Sequence, residues 1–178
     1  MDRRLPIFRL MKRFMAFVLG IAGVAVAVRG LAEGEPENLV KVTKERIPMD
    51  ERLRLLCGSR EMVAGPHVEA EVDVYVNAIV IDYRRENAER FEYPVGAVFV
   101  KKKYPSLGAE APDLATKMVK VRNEGKVSDW EFSMYRLPGG EVVQPAGKVS
   151  CASCHERYEE RGFISRESEA ALREFLKG

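Results

Sequence analysis

The clearest pattern in the chain is an alternation over residues 68–77. Val68, Ala70, Val72, Val74 and Val76 fall on one side, and Glu69, Glu71, Asp73, Tyr75 and Asn77 on the other. A period of two with one apolar side is that of a half-buried antiparallel strand. Three more strands follow. Gly96 to Lys103 sets Ala97, Phe99 and Lys101 against Val98 and Val100; Thr116 to Arg122 puts Val119 and Val121 together; Asp129 to Leu137 aligns Trp130, Phe132 and Met134. Pro138-Gly139-Gly140 stops the last of these, and Tyr104 to Asp113, with two prolines and a glycine, reads as a loop. Helical spacing is confined to three places. Asp50 to Cys57 forms a short apolar helix stopped by Gly58, and Tyr83 to Phe91 a charged surface helix. A last helix is capped by Ser165 and carries Leu172, Phe175 and Leu176 on one face. The pattern predicts an α+β domain, a predominantly antiparallel sheet with flanking helices.

The N-terminus reads differently. Basic residues end at Lys12-Arg13, and Phe14 to Val28 then run fifteen residues without a charge before Arg29. As a helix this run reaches about 22 Å, short of a hydrocarbon core of about 30 Å. A basic start, an apolar centre of this size and the small residues Gly30 and Ala32 describe a secretory signal, with cleavage expected before Glu33. An uncleaved anchor with the same topology is the alternative. Either places the body in the periplasm. The expected organisation is a signal over 1–32, an N-terminal extension with the short helix over 33–65, and one domain over 66–178.

Composition and charge narrow the class. The 178 residues fit a single domain, and 46% hydrophobic residues suffice for a core. This excludes a disordered tail, a collagen-like fibre and a polytopic membrane protein. The net charge of +2 belongs to the N-terminus: residues 1–32 carry six basic residues and one acid. The remainder holds 23 basic and 26 acidic residues, a net of −3. Such a body has no basic surplus with which to neutralise phosphates, so no nucleic-acid partner is expected.

The chemistry lies in one pentapeptide, Cys151-Ala152-Ser153-Cys154-His155. C-x-x-C-H is the attachment pattern of c-type haem: two thiols at this spacing add to the two haem vinyl groups, and the adjacent imidazole sits under the iron. The expected cofactor is one covalently bound haem c, held by Cys151 and Cys154, with His155 as the iron ligand. A structural zinc site would need a second ligand pair, for which only the distant Cys57 and His67 remain. A thioredoxin-like pair would need a βαβ context, and a Cys151–Cys154 disulfide would leave His155 without a role. Cys57 reads as a buried, inert thiol.

Only 23 residues follow His155, and none is Met, His or Cys. The architecture with an axial methionine downstream of the motif is therefore not this one. A sixth ligand would have to come from upstream, with Met118, Met134 and His67 as candidates. A five-coordinate iron with an open face is the expected state. The strand-rich pattern also argues against a four-helix cytochrome c′ bundle.

Four stretches together resemble the cytochrome P-460 and cytochrome c′-beta family. They are Val74-Tyr75-Val76-Asn77, then Tyr93-Pro94-Val95-Gly96-Ala97-Val98-Phe99-Val100-Lys101, then Asp129-Trp130-Glu131-Phe132, then Cys151 to His155, in the family's order over roughly residues 66–165. The resemblance implies an antiparallel sheet with flanking helices, a homodimer, and one five-coordinate c-type haem with His155 proximal. It implies two activities. Cytochromes P-460 oxidise hydroxylamine to nitric and nitrous oxide and link a lysine covalently to the haem; the matching lysine is Lys101. The c′-beta members lack the link and bind nitric oxide or carbon monoxide on an apolar distal face. Alternation puts Lys101 with Ala97 and Phe99, so it can point inward while Lys102 stays in water. The competing reading makes Lys101-Lys102-Lys103 a solvated strand end protecting an edge.

The sequence departs from the hydroxylamine-oxidising pattern in one respect. Removing protons calls for a distal carboxylate, yet Val142 to Ser150 contains no acid. Glu141, Glu131 and Asp129 are the nearest candidates, with exposed strand and turn charges as the plainer reading, and Val72 stands near the place of the family's basic residue. Phe99, Trp130, Phe132 and Met134 are candidate walls of a ligand pocket, or core. The expectation is an exported mono-haem cytochrome binding a small nitrogen ligand and passing electrons to a soluble cytochrome. The alternatives are a gas-binding protein and a plain electron carrier.

Overall fold

A computed structural model describes residues 38–49, 71–144 and 149–178. The proposed signal, the Asp50 to Cys57 helix, Cys57 and His67 lie outside the described residues. Among the described residues, no helix is long and apolar enough to cross a membrane.

The architecture is α+β. Among the described residues, seven strands form one antiparallel sheet: β1 (Val40–Lys41), β2 (Ile47–Pro48), β3 (Glu71–Val76), β4 (Val98–Tyr104), β5 (Leu114–Lys120), β6 (Trp130–Arg136) and β7 (Val142–Gln144). Their order is β1-β3-β4-β5-β6-β7, with β2 also pairing with β3. Helix α1 (Ala78–Glu86) follows β3, α2 (Val149–His155) follows β7, and α3 (Arg166–Phe175) closes the chain after a 3-10 segment, Glu156–Arg161. The four strands expected from alternation are all present among the described residues, with ends one or two residues from those expected; residues 68–70 of the first expected strand lie outside the described residues. The short β1 and β2, which lack enough residues to show a period, come from the expected N-terminal extension, and both pair with β3.

Register assigns each side chain to a face. Val74 opposes Lys101, Lys101 opposes Thr116, and Thr116 opposes Met134. The same face carries Val76, Phe99, Met118, Phe132 and Trp130, and it packs with Cys151 and Ala152 of α2, with Phe163 and Ile164, and with Leu172 of α3. The opposite face holds Val98, Val100, Ala115, Val119 and Tyr135. Both faces are covered, so the half-buried reading of the first strand needs correction: Asp73, on the expected polar side, is 1% exposed. It is held by Thr43, Tyr104 and Lys41.

Two further expectations are corrected. The helix assigned to Tyr83 to Phe91 begins five residues earlier, where the Asn77 side chain accepts from the Val80 N–H as N-cap. The β-branched Ile79-Val80-Ile81 hid this start, because tertiary packing of Val80 and Ile81 outweighs their weak helix preference. It is also not simply a charged surface helix, since Arg84 is buried. The lysine triplet is not a solvated edge: β4 lies between β3 and β5, and Lys103 is fully buried.

Candidate haem-attachment site

Helix α2 places the two thiols one turn apart, and Cys151 and Cys154 are not joined by a disulfide. Residues i and i+3 of a helix share a face, so both sulfurs are presented together. Cys151 packs partly into the core on the helix-bearing side of the sheet. This anchors the motif to β6 and to the 3-10 turn Val127–Asp129.

His155 ends α2 and is oriented from the chain that follows. Its Nδ1 lies 2.7 Å from the Phe163 carbonyl oxygen. A carbonyl can only accept, so Nδ1 carries the proton and Nε2 keeps its lone pair. The ring stacks obliquely on Phe132, with centroids 4.9 Å apart, and meets Tyr158 edge-on at 5.9 Å. Burial pushes its pKa down to about 4, helped by the ammonium groups of Lys101 and Lys103 and opposed by the Phe163 carbonyl. The imidazole is therefore a neutral base at physiological pH, the form that ligates a metal.

The Phe163 carbonyl owes its position to two consecutive left-handed residues. Gly162 has φ +60° and Phe163 has φ +69°. A Cβ on Gly162 would come within 2.0 Å of the Phe91 carbonyl oxygen, so only glycine fits there. For phenylalanine the left-handed conformation costs about 1–2 kcal/mol, which the burial of Phe163 in the core offsets.

Lys101 reaches the same region from β4. Its Nζ donates to Ser165 Oγ at 2.7 Å. Desolvation lowers its pKa, while the Glu167 carboxylate and the Cys154 thiol act electrostatically in the opposite direction. The amine thus lies within the field of the attachment motif.

The other expected site residues divide. Phe132 lies against His155. Phe99 and Trp130 belong to a buried aromatic cluster with Tyr93, at centroid distances of 5.2 to 6.2 Å. Met134 is half-buried on the Lys101 side of the sheet, and Met118 is buried between Phe99 and Phe132. Of the distal acid candidates, Glu131 points to the opposite face from Phe132, and Glu141 is exposed. Asp129 is not an exposed turn charge. It is fully buried, and its Oδ2 accepts from the backbone N–H groups of Glu124, Gly125 and Lys126. Ser165 as a partner of Lys101, the Phe163 carbonyl, Tyr158 and Glu167 were not foreseen as site groups. The only hint was Ser165 as a helix cap, because a backbone carbonyl and a contact across 64 residues leave no trace in spacing.

The donor set fits a c-type haem: two thiols on one helix face and a neutral imidazole with a lone pair on Nε2. The family model of cytochrome P460 matches residues 59–165. The chain belongs to the cytochrome P460 family. This P460 protein is a mono-haem c-type cytochrome that binds its haem covalently, and Cys151 and Cys154 fit the attachment thiols. A search of curated proteins found no match. The antiparallel sheet around the motif also removes the βαβ context that a thioredoxin-like pair requires.

Proposed function

We propose that this P460 protein is exported to the periplasm, binds a small nitrogen ligand at an open haem face, and oxidises hydroxylamine to nitric or nitrous oxide. The observation that carries the reading is Lys101. Lys101 is a half-buried lysine on a central strand, and its amine is desolvated, donates to Ser165 and lies within the field of Cys154; taking such a charge out of water is costly. A solvated strand end would not bury it. The fit is to a lysine serving the haem edge. Bound haem iron would supply the ligand site and the route for electrons. The chain's own groups do the rest. Cys151 and Cys154 tether the group, His155 offers Nε2, the Phe163 carbonyl holds the ring in that tautomer, and Phe132 packs against the imidazole. A soluble cytochrome is the electron acceptor in this reading, and a second copy of the chain is the expected partner.

A second reading has its own support. Glu131, Glu141 and Asp129, the candidate acids upstream of the motif, point away, are exposed or are engaged in a loop. With those three candidates away from the motif, Glu167 is the carboxylate among the described residues whose field reaches His155 and Lys101; a ligand face without an acid of its own would suit capture of nitric oxide or carbon monoxide better than proton removal.

The optical spectrum of periplasmically matured protein separates these readings. A strongly red-shifted ferrous Soret band, absent from K101M, is expected, together with hydroxylamine turnover. An ordinary five-coordinate c-type spectrum in both proteins moves the assignment to gas binding. A six-coordinate low-spin spectrum makes the protein an electron carrier.

A further inference from the structure

We propose that Ser165 is a positioning residue for Lys101: its hydroxyl, fixed at the N-cap of α3, holds the lysine amine on the side of the sheet that carries the haem-attachment motif. This rests on the reading of Lys101 as a haem-side residue. The contact spans 64 residues of sequence and is short, Nζ to Oγ at 2.7 Å. The hydroxyl is itself pinned. The Ser168 N–H donates to it at 3.5 Å, Ser168 Oγ lies 3.1 Å away, and both serines are buried.

Helix capping alone does not account for this arrangement. Threonine, asparagine or aspartate would cap α3 about as well, and a cap does not require a lysine brought from β4. The lysine, however, requires an acceptor. A desolvated amine without one would bear the cost of an unsatisfied buried donor. Lysine is also a flexible four-carbon stem whose tip is free to turn, so the group that receives the tip decides where the amine points. Ser165 stands two residues after Phe163, whose carbonyl orients His155. The segment 162–165 therefore sets the direction of both the imidazole and the amine.

The test is a double-mutant cycle on the haem-loaded protein, read as the haem midpoint potential and the ferrous spectrum. Ser165→Gly removes the hydroxyl while costing a cap only a few tenths of a kcal/mol. S165G is expected to shift the potential in the Lys101 background and to leave it unchanged in K101M. Ser165→Thr, which keeps hydroxyl and cap, is expected to restore the wild-type value. Equal shifts in both backgrounds, or no shift in S165G, overturn the proposal. If K101M shifts the potential but the cycle is additive, the haem-side reading stands and Ser165 falls. If K101M changes neither potential nor spectrum, both fall. Should S165G not accumulate, Ser165→Ala, which likewise leaves the amine no side-chain acceptor at this position, is read in the same cycle.

Discussion

At the scale of the residue, the site depends on backbone positions that carry no chemistry of their own. Gly162 is the clearest. Its φ of +60° and its approach to the Phe91 carbonyl exclude any Cβ. Gly140 has a similar φ of +69°, but a Cβ there would meet nothing within 4 Å. The pair separates conformational strain from collision. Gly140→Ala is expected to cost about 1–2 kcal/mol. Gly162→Ala adds overpacking against backbone and is expected to cost about 2–5 kcal/mol in total. Thermal unfolding of the two variants checks this; equal losses would mean that the Phe91 contact yields freely. Gly162→Ala is also expected to loosen His155, because the Phe163 carbonyl follows the turn.

At the scale of the element, α3 is held to α1 and to the loop after it by a buried ion pair. Arg84 Nη2 donates to Glu169 Oε1 at 2.7 Å, the Tyr93 hydroxyl donates to Oε2 at 3.2 Å, and Arg84 Nη1 serves the carbonyls of Asn87 and Arg90. Breaking such a pair leaves a buried charge alone. Arg84→Met and Glu169→Leu are each expected to cost about 3–5 kcal/mol, and the double variant less than their sum. Urea unfolding with an unchanged m-value checks this; strict additivity would sink it. The network explains why the sequence pattern misjudged α1. A charged helix reads as surface, and Arg84 is buried only because α3 brings Glu169 to it from 85 residues away. The lysine triplet misleads in the same way: Lys103 is buried and Lys101 half-buried because β4 is central, which no local window reveals.

At the scale of the whole molecule, stability carries a signature of buried carboxylates. Burial alone would raise the pKa of Asp129, but the backbone N–H groups of Lys126 and Glu124 and the Lys120 ammonium hold it below 3.8. Asp73 is likewise raised by burial and lowered further by Lys41, Thr43 and Tyr104. A carboxylate with a depressed folded pKa binds protons more readily when unfolded. Its stabilisation is present above the unfolded value, near 3.8, and is lost as pH falls through the lower folded value. The melting temperature is therefore expected to hold above about pH 5 and to fall steeply below pH 4. Asp129→Asn is expected to lower it at neutral pH and to flatten the acid limb. Acid limbs of equal slope in the two proteins would show that Asp129 does not contribute.

The amino-acid sequence by itself determined the α+β class, four of the strands, the capped last helix and the attachment motif. Each is a local pattern: a period of two, a serine before an apolar helical face, or three residues at fixed spacing. Alternation even assigned Lys101 to the face of Phe99, correctly, because the pleat transmits facing along a strand whatever lies beyond it. The tertiary structure alone decided that both faces of the sheet are covered, that Asp129 and Asp73 are interior, and that Arg84 meets Glu169. It alone decided that the Gly162-Phe163 turn aims a carbonyl at His155, and that Ser165 receives the lysine. These follow from strand order and from contacts across tens of residues, where burial and pairing outweigh local preference.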